Sequence, residues 1–550
     1  MAAVIAAAGI VAYWPAFRAG FVWDDHVLLL EAPLLRGPLW RIWFSSDATD
    51  YWPLTWTTFW VEARLWGQAA SPFHVVNVSL HILASILLWR LLRALRVPGS
   101  AVAGLLFAIH PVAVESVAWV SERKNVLSGV FFFSSLLAWT RFDDEGRRRD
   151  AVASFLLFLC ALLAKTSVVM LPFVQLGIAL YRRRAVTRRD LARIVPFVLL
   201  SAAFGALTLW TQGVNVIRGE IAERGFAERV AGAGWALLSY LQKAFVPVDL
   251  GVVYPRWPVA PGSPAFWIPL LFVIVAAGAA WAAGRRSWGR SLALGLGYHA
   301  LMVLPVLGLL DMAYFAVGPI SNHLQYLALA APCALVGAGL AALHRRYPSA
   351  ALALGVAASL VLVAWTHRRA AAFEDDLHLW RAAARASPRS LYAASSYAAE
   401  LGGTVSVAAA VGELEAFIAR SSDEADRRLA HAHALVFLRR PAEAAEEAIA
   451  GDAIRPDVQR QIEIGRLLVT SRYAGDAIRV LSVQVERAPR SADVRYWLSA
   501  ALFRSGRADE ARQVVLDGLR VSPRDVKLRN ALAMLDQQAP PAPVPAEARP

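Results

Sequence analysis

The sequence predicts an all-α protein in which a membrane domain of about eleven transmembrane helices is followed by a helical-repeat solenoid. Apolar residues make up 57% of the 550 residues, and the mean hydropathy is +0.45. A membrane-spanning helix needs about 20 mostly apolar residues, and runs of this kind recur as far as about residue 366. Beyond that point alanine, arginine and glutamate dominate, and prolines recur at a period of about 34 residues, which indicates structural repeats.

Arginine-rich loops orient the predicted spans, because short cytoplasmic loops of membrane proteins are enriched in basic residues. The loops placed in the cytoplasm are 89–96, 141–150, 181–193, 284–290 and 344–348. The predicted spans lie near 2–17, 73–90, 98–111, 125–141, 151–164, 167–181, 194–211, 265–284, 291–310, 324–343 and 349–366. The predicted external segments are 18–72, 110–124, the turn at Lys165, 212–264, 311–323 and all residues after Trp365.

The charge composition excludes some classes of function. The net charge of +14 does not indicate a nucleic-acid partner, because the arginines cluster in short loops between apolar runs. No Gly-rich phosphate loop or Gly-x-Ser-x-Gly elbow occurs, which argues against nucleotide-driven chemistry. Only four of the 56 basic residues are lysines, so each departs from the habit of this chain: Lys124, Lys165, Lys243 and Lys527.

The C-terminal third carries the repeat signal. Prolines recur at intervals of 33 and 34 residues, at Pro456, Pro489 and Pro523. Twelve residues before each proline stands an alanine, namely Ala444, Ala477 and Ala511. The pattern is typical of tetratricopeptide repeats, whose helix pairs stack into a solenoid with a concave binding surface; the alternative is a generic helical bundle. The predicted domains are therefore the membrane domain at 1–366, about four repeats at 367–536 and a disordered proline-rich tail at 537–550.

The adjacent acids Asp24 and Asp25 are the first candidates for catalysis. They lie between a tryptophan and an apolar run, and a carboxylate in an apolar membrane environment costs about 2.5–3.5 kcal/mol or more. Adjacent acids push their pKa values apart, so that one can act as a base near neutral pH. The alternative is an N-cap for a helix that begins near His26. Two further Asp-Asp pairs, at 143–144 and 375–376, lie in polar stretches and predict only solvated surface.

Basic and polar residues gather on the same predicted external face. Lys165 forms a turn between two short apolar segments, where a compact cation near lipid head groups suits phosphate; the simpler interpretation is a snorkelling anchor. His74 and His81 are seven residues apart, a spacing too wide to hold a metal without further ligands. Other candidates on or near this face are His110, Glu115, Arg123, Lys124, His323, Gln325 and Tyr326.

These motifs resemble the transmembrane and tetratricopeptide-repeat glycosyltransferases, a family of GT-C fold. The family includes eukaryotic protein O-mannosyltransferases and bacterial relatives. The stretches that carry the resemblance are FVWDDH (21–26), YWPLTWTTFW (51–60), HPVAVESVAWVSERKN (110–125) and LLAKTSVVMLP (162–172). The resemblance implies transfer of a hexose from a polyprenyl-phosphate donor to an acceptor hydroxyl outside the cytoplasm, with protein O-mannosylation as one form. It also implies a multi-pass protein of the bacterial inner membrane, whose periplasmic repeats hold a protein or glycan acceptor.

The resemblance assigns roles to particular residues. It implies that Asp24 or Asp25 is the catalytic carboxylate, acting as a base or as a ligand of the acceptor, and that Arg123, Lys124 and Lys165 bind the lipid phosphate. By their position, His110 and His323 are added to the donor site. The predicted acceptor-binding or supporting residues are Glu115, His74, Gln325 and Tyr326. No cofactor is implied, and a divalent metal is left open.

Two other functions are compatible with parts of the pattern. A non-catalytic, membrane-anchored repeat scaffold for envelope assembly would leave Asp24, Asp25 and Lys165 dispensable. A transporter of lipid-linked sugars would need polar residues across the membrane midplane, whereas the charges here gather at one face.

Overall fold

The computed structural model describes residues 1–44, 50–215, 224–257, 261–284, 286–523 and 525–538. Regular structure in these ranges is helical, without any strand, which confirms the predicted all-α class. The chain divides into two compact units, and the first contains residues 1–211 and 224–393. The second contains the described residues 212–215 and those from Ala394 onward. The predicted tail starts at 537, but a helix continues to Gln538, and 539–550 lie outside the described residues.

Helices account for most of the first unit. Its α-helices are Ala2–Ala12, Pro33–Arg36, Leu39–Phe44, Pro53–Trp66, Ala70–Ala94, Ser100–Ala108, Val114–Ala118, Arg123–Glu145, Arg148–Ala164, Leu171–Arg183, Arg188–Asn215, Phe226–Phe245, Ile268–Ala283, Ser287–Val303, Ala330–His344, Pro348–Ala371 and Asp376–Ala386. The 3₁₀ turns are Trp14–Arg18, Pro111–Ala113, Val120–Glu122, Thr166–Met170, Pro264–Trp267, Leu304–Val306, Ala313–Ala316 and Asn322–Gln325. His26–Leu30 forms a π-helical turn.

Four helices are long and apolar enough to cross a membrane: Ala70–Ala94, Arg188–Thr211, Pro264–Ala283 and Pro348–Ala371. Two consecutive helices bent by 44°, Ser100–Ala108 and Pro111–Ala118, give a fifth if they count as one span. Within the described ranges, four or five of the eleven predicted spans are therefore supported. Several other predicted spans fall on shorter helices, such as Ala2–Ala12 and Ala330–His344. Another lies in Arg123–Glu145, whose two ends carry charged residues.

The last helix of the first unit, Asp376–Ala386, lies beyond the predicted domain boundary at 366. It stays with this unit because Trp380 packs edge-on against Trp23, with ring centroids 5.0 Å apart. The division between units accordingly falls after Ala393 rather than after 366.

Paired helices make up the second unit. Its helices are Leu391–Thr404, Val407–Arg420, Glu424–Phe437, Pro441–Ile454, Val458–Thr470, Ala474–Arg487, Ala492–Arg504, Ala508–Val521 and Val526–Gln538. The alanines of the sequence period are all completely buried, at Ala444, Ala477 and Ala511. Small residues are needed where paired helices approach closely: a Cβ on Gly465 would lie 2.6 Å from the Leu481 side chain. Contacts between successive helix pairs follow the 34-residue repeat. For example, Lys527 Nζ donates to Asp493 Oδ1 at 2.5 Å, and the two residues are 34 positions apart in sequence.

Candidate functional site

An irregular run at 110–125 positions most of the candidate side chains. Helix Ser100–Ala108 ends before Pro111, and the His110 ring caps the next turn by accepting the Val112 N–H through Nδ1 at 3.2 Å. Short turns follow until the long helix begins at Arg123.

Ser121 holds both candidate acids. Its N–H donates to Asp25 Oδ1 at 2.7 Å, and its Oγ donates to Asp24 Oδ1 at 2.7 Å. Asp25 also accepts the Val22 N–H through Oδ2 at 3.2 Å and is completely buried, whereas Asp24 is partly exposed. The alternative of an N-cap is not supported, because the Asp25 side chain makes no capping bond to the helix at His26. Asp24 therefore has the freer carboxylate.

The surroundings of the two acids separate their roles. Burial and, as a smaller cause, the neighbouring Asp24 carboxylate together raise the pKa of Asp25 to about 8. Burial also raises the pKa of Asp24, but the nearby Lys124 ammonium and the bond from Ser121 oppose that shift. Two coupled acids titrate as a pair. With a pKa of about 8 Asp25 holds its proton near neutral pH, whereas the Lys124 ammonium and Ser121 favour the charged form of Asp24.

A second cluster gathers around Glu122, which the sequence did not select as a site residue. Lys124 Nζ lies 2.6 Å from Glu122 Oε1, and Lys165 Nζ lies 3.6 Å from Oε2. Asn125 bridges this pair: its Nδ2 donates to Glu122 at 2.6 Å, and its Oδ1 accepts from Lys165 at 2.6 Å. His323 Nε2 is 3.9 Å from Glu122 Oε1. The fold thus brings the predicted Lys124, Lys165 and His323 together around one carboxylate.

Charge interactions and burial compete in this cluster. Although burial favours its neutral form, the surrounding basic groups hold the pKa of Glu122 well below its usual range. Burial lowers the pKa of Lys165 to about 8, the Glu122 carboxylate opposes this shift, and the Lys124 ammonium adds to it. Both lysines are less than 10% exposed. They form a compact, partly dehydrated cation pair that shares the Glu122 carboxylate, and Asp24 and Asp50 add further negative charge nearby.

Glu115 belongs to a third network, and it is completely buried. Its Oε1 accepts from Asn322 Nδ2 at 2.6 Å and from Arg369 Nη2 at 2.7 Å. Its Oε2 accepts from Ser321 Oγ at 3.0 Å and from the His323 N–H at 3.1 Å. The carboxylate joins three separate segments and has no free acceptor position facing a ligand, so that its geometry is that of a supporting residue.

Two predicted donor-site residues do not join the lysine cluster. The Arg123 side chain is completely buried and forms an ion pair with Glu62. Its Nε donates to Asn77 Oδ1 at 2.7 Å, and its Nη2 donates to the Phe73 carbonyl at 2.9 Å. Both ring nitrogens of His110 bond backbone groups, and Nε2 lies 3.2 Å from the Ala244 carbonyl. Arg123 and His110 therefore connect helices to one another. A lipid phosphate could bind them only by displacing the partners described here.

The remaining predicted residues occupy different settings. His74 Nε2 bonds the Gly20 carbonyl at 3.1 Å, and Tyr326 O–H lies 2.8 Å from His81 Nδ1. Gln325 is completely buried, and neither of its amide atoms has a hydrogen-bond partner among the described residues. Within the same part of the chain, no group of three or more histidine, cysteine or acidic side chains could hold a metal ion.

A partly open cleft borders the lysine cluster. Asn125, Ser167 and His323 supply its polar wall, and Met302, Tyr326 and Leu327 contribute apolar surface. Asn125 and His323 belong to the cluster around Glu122 as well, so that a ligand in the cleft would lie next to the two lysines. The space inside it is about that of a single water molecule, so that the cleft marks an opening beside the lysines rather than a formed ligand pocket.

Sequence reasoning missed several residues of these networks: Ser121, Glu122, Asn125, Asn322, Arg369 and Asp376. Glu122 and Asn125 could have been found from the sequence, because they lie directly before and after the Arg-Lys dipeptide that was predicted to bind phosphate. The prediction that the pair at 375–376 is merely solvated is wrong for Asp376, whose Oδ1 accepts the Trp23 N–H at 2.7 Å. It holds for Asp375, which is half exposed and caps its own helix.

Known proteins share parts of this architecture. A family model described as tetratricopeptide repeat matches residues 473–535. A Caenorhabditis elegans protein named protein O-mannosyl-transferase F38B6.6 is 23% identical over 413 residues, which cover 68% of this chain and 56% of the relative. Human protein O-mannosyl-transferase TMTC3 is 30% identical over 142 residues, or 24% of this chain and 16% of that protein. Drosophila melanogaster protein O-mannosyl-transferase Tmtc1 is 30% identical over 177 residues, which cover 30% of this chain and 21% of that protein.

The chain spans about half or less of the length of these relatives. The predicted resemblance is confirmed by both comparisons, one of which covers the repeats while the other covers most of the chain. The chain thus carries a tetratricopeptide-repeat region and is similar in sequence to proteins named protein O-mannosyl-transferases.

Proposed function

We propose that this protein is an integral membrane glycosyltransferase of GT-C type. It transfers a hexose from a polyprenyl-phosphate donor to an acceptor hydroxyl on the extracytoplasmic side of the membrane. The observation that carries the proposal is the close placement of an acid pair and two buried lysines through one short segment. Ser121 bonds both acids, and the neighbouring Glu122 contacts both lysines. The names of the relatives support the same class of reaction.

Asp24 is the proposed base. Its carboxylate is partly exposed and close to Lys124, whereas Asp25 is sealed by two backbone N–H groups. Asp24 accepts the proton of the acceptor hydroxyl, whose oxygen forms a bond to the anomeric carbon. The bond from that carbon to the phosphate oxygen breaks with inversion, and its electron pair leaves with the polyprenyl phosphate. Asp25 stays protonated and positions Ser121.

Lys124 and Lys165 are the proposed ligands of the donor phosphate. Ammonium groups are compact point charges that bind phosphate, and preorganised cations stabilise a leaving group that gains charge. Because the two lysines share Glu122, an incoming phosphate can replace that carboxylate as their partner. His323, at the cleft wall, is proposed to contact the donor, while Arg123 and His110 act indirectly by holding helices in place.

The remaining predictions are kept as parts of this proposal. In the proposed topology of about eleven spans, the acids and lysines lie on the outer face of the inner membrane of a bacterial cell, and the repeats hold a protein or glycan acceptor in the periplasm. The Gln325 amide is completely buried without a hydrogen-bond partner among the described residues, and Gln325 is kept as a supporting residue next to Tyr326. Glu115, His74 and Tyr326 support these groups through the bonds described above.

Donor use tests the proposal. The full-length chain, reconstituted in lipid nanodiscs, is given a polyprenyl-monophosphate mannose or glucose, the diphosphate-linked analogue, or a nucleotide sugar, with a serine- and threonine-rich peptide or a glycan as acceptor. Consumption of a monophosphate donor alone is expected, with loss of consumption in Lys165→Met and retention in Lys527→Met, a lysine of the repeats. No consumption of any donor would favour the scaffold, and consumption of only the nucleotide sugar would contradict the proposal.

A further inference from the structure

We propose that Asp376 is a positioning residue that sets the backbone geometry of the turn carrying Asp24 and Asp25. The inference rests on the proposed function for its catalytic consequence, although its structural part stands independently. Asp376 lies beyond the last predicted span, more than 350 residues from the acids in sequence, and it contacts neither of them directly. It acts through Trp23 and His26, which flank the acid pair.

Three hydrogen bonds connect the segment 374–376 to the turn 20–26. Asp376 Oδ1 accepts the Trp23 N–H at 2.7 Å, and Oδ2 lies 2.8 Å from His26 Nε2. The Glu374 carbonyl accepts the Gly20 N–H at 2.9 Å. The turn is therefore held before and after the acids, and a carboxylate spanning two attachment points restricts the backbone between them.

The turn needs this support because Trp23 has a φ of +53°, in the left-handed region that residues with a Cβ seldom adopt. A charged acceptor on its N–H compensates for such a conformation. The Trp23 ring also stacks on Trp119, with centroids 4.8 Å apart and planes 6° from parallel. Trp119 precedes Ser121 by two residues, and Ser121 bonds both acids. The stacking of Trp23 on Trp119 therefore connects the turn to the segment that contains Ser121.

The position of Asp24 relative to the lysine cluster depends on this backbone. A catalytic group displaced by about 1 Å can lose about 100-fold in rate. The lysines have no bond to Asp376, so that donor binding should stay intact when Asp376 is lost. Asparagine keeps an oxygen that accepts the Trp23 N–H, whereas alanine does not.

The test compares Asp376→Ala, Asp376→Ser and Asp376→Asn in the full-length chain, with Asp144→Asn, at an exposed acid far from the turn in sequence, as the control. Transfer from the polyprenyl-monophosphate donor and amide hydrogen exchange of the peptide covering 20–26 are both measured. In the alanine and serine variants kcat should fall 10- to 100-fold, with the donor KM within twofold of wild type and exchange at least tenfold faster. Asp376→Asn and Asp144→Asn should stay near wild type in both measurements.

Wild-type exchange in the alanine and serine variants would overturn the inference, as would an Asp376→Asn variant as impaired as alanine. A donor KM that rises in step with the loss of kcat would also overturn it. If the wild type transfers no sugar, the proposed function fails, and the exchange measurement alone decides whether Asp376 holds the turn. Serine leaves a small polar side chain, so that a fold intolerant of alanine still gives a result.

Discussion

Replacement of Asp25 by asparagine should change the sign of its effect on stability between acid and alkaline pH. In the unfolded chain Asp25 ionises near its ordinary pKa of 3.8, whereas burial keeps it protonated in the folded chain up to about 8. Between these values the folded state binds a proton that the unfolded state has released. The free energy of unfolding of the wild type therefore falls by about 1.4 kcal/mol per pH unit.

The asparagine variant escapes this loss because it carries no titrating proton. The pKa of Asp25 differs by about 4 between the folded and unfolded chains. Between pH 4 and pH 8 the stability of the variant relative to wild type can therefore rise by at most about 6 kcal/mol. An amide can still accept the Ser121 N–H but cannot also accept the Val22 N–H, which costs about 1 kcal/mol. Asp25→Asn should accordingly be about 1 kcal/mol less stable than wild type at pH 4 and several kcal/mol more stable at pH 8.

Thermal unfolding of the detergent-solubilised full-length chain, followed at each pH unit from 4 to 8, measures this crossing. Asp144→Asn is the control, because that acid is 46% exposed and its loss should leave the pH dependence unchanged. Parallel curves for wild type and Asp25→Asn over the whole range would refute the conclusion that Asp25 is protonated near neutral pH.

Three further substitutions should change activity or stability in a direction that the structure predicts. Lys165→Arg should raise the alkaline limit of sugar transfer above about pH 8, where the lysine loses the proton that the guanidinium keeps; an unmoved limit in the pH–rate profile would count against Lys165 as a phosphate ligand. Arg123→Met should destabilise the chain by about 3–5 kcal/mol, because Glu62 is left buried without its partner. The double variant with Glu62→Met should regain most of the unfolding temperature, and equal losses in the two variants would disprove a buried pair. Ala444→Leu should destabilise the repeats by about 1–3 kcal/mol by overpacking, whereas Ala442→Leu, at an exposed position, should be neutral, and similar thermal shifts would contradict the predicted packing.

Local patterns in the sequence predicted the features that local physics determines. Ala444, Ala477 and Ala511 share a period because each repeat needs a small residue at the same crossing of two helices. Lys124 and Lys165 were identifiable because they interrupt a chain rich in arginine. The span count was less predictable, since hydropathy alone does not reveal where a helix breaks, as it does between Ser100–Ala108 and Pro111–Ala118.

Contacts between distant segments could not be predicted in this way. Ser121 bonds acids 96 and 97 residues away, and Asp376 reaches Trp23 across 353 residues. Neither contact leaves a periodic signature, because it depends on how helices pack rather than on the spacing along any one of them. Arg123 shows the converse error: its place in a basic motif suggested phosphate, but the packing buries it against Glu62.

The most direct test of the central claim is the rate of sugar transfer from the polyprenyl-monophosphate donor by Asp24→Asn, measured beside Asp25→Asn and Asp144→Asn. Removal of a general base should lower kcat by about 100- to 10,000-fold in Asp24→Asn, with the donor KM near that of the wild type because both lysines remain. Asp25→Asn should lose less activity, and Asp144→Asn none. Wild-type kcat in Asp24→Asn, or a larger loss in Asp25→Asn than in Asp24→Asn, would contradict the assignment of Asp24 as the base.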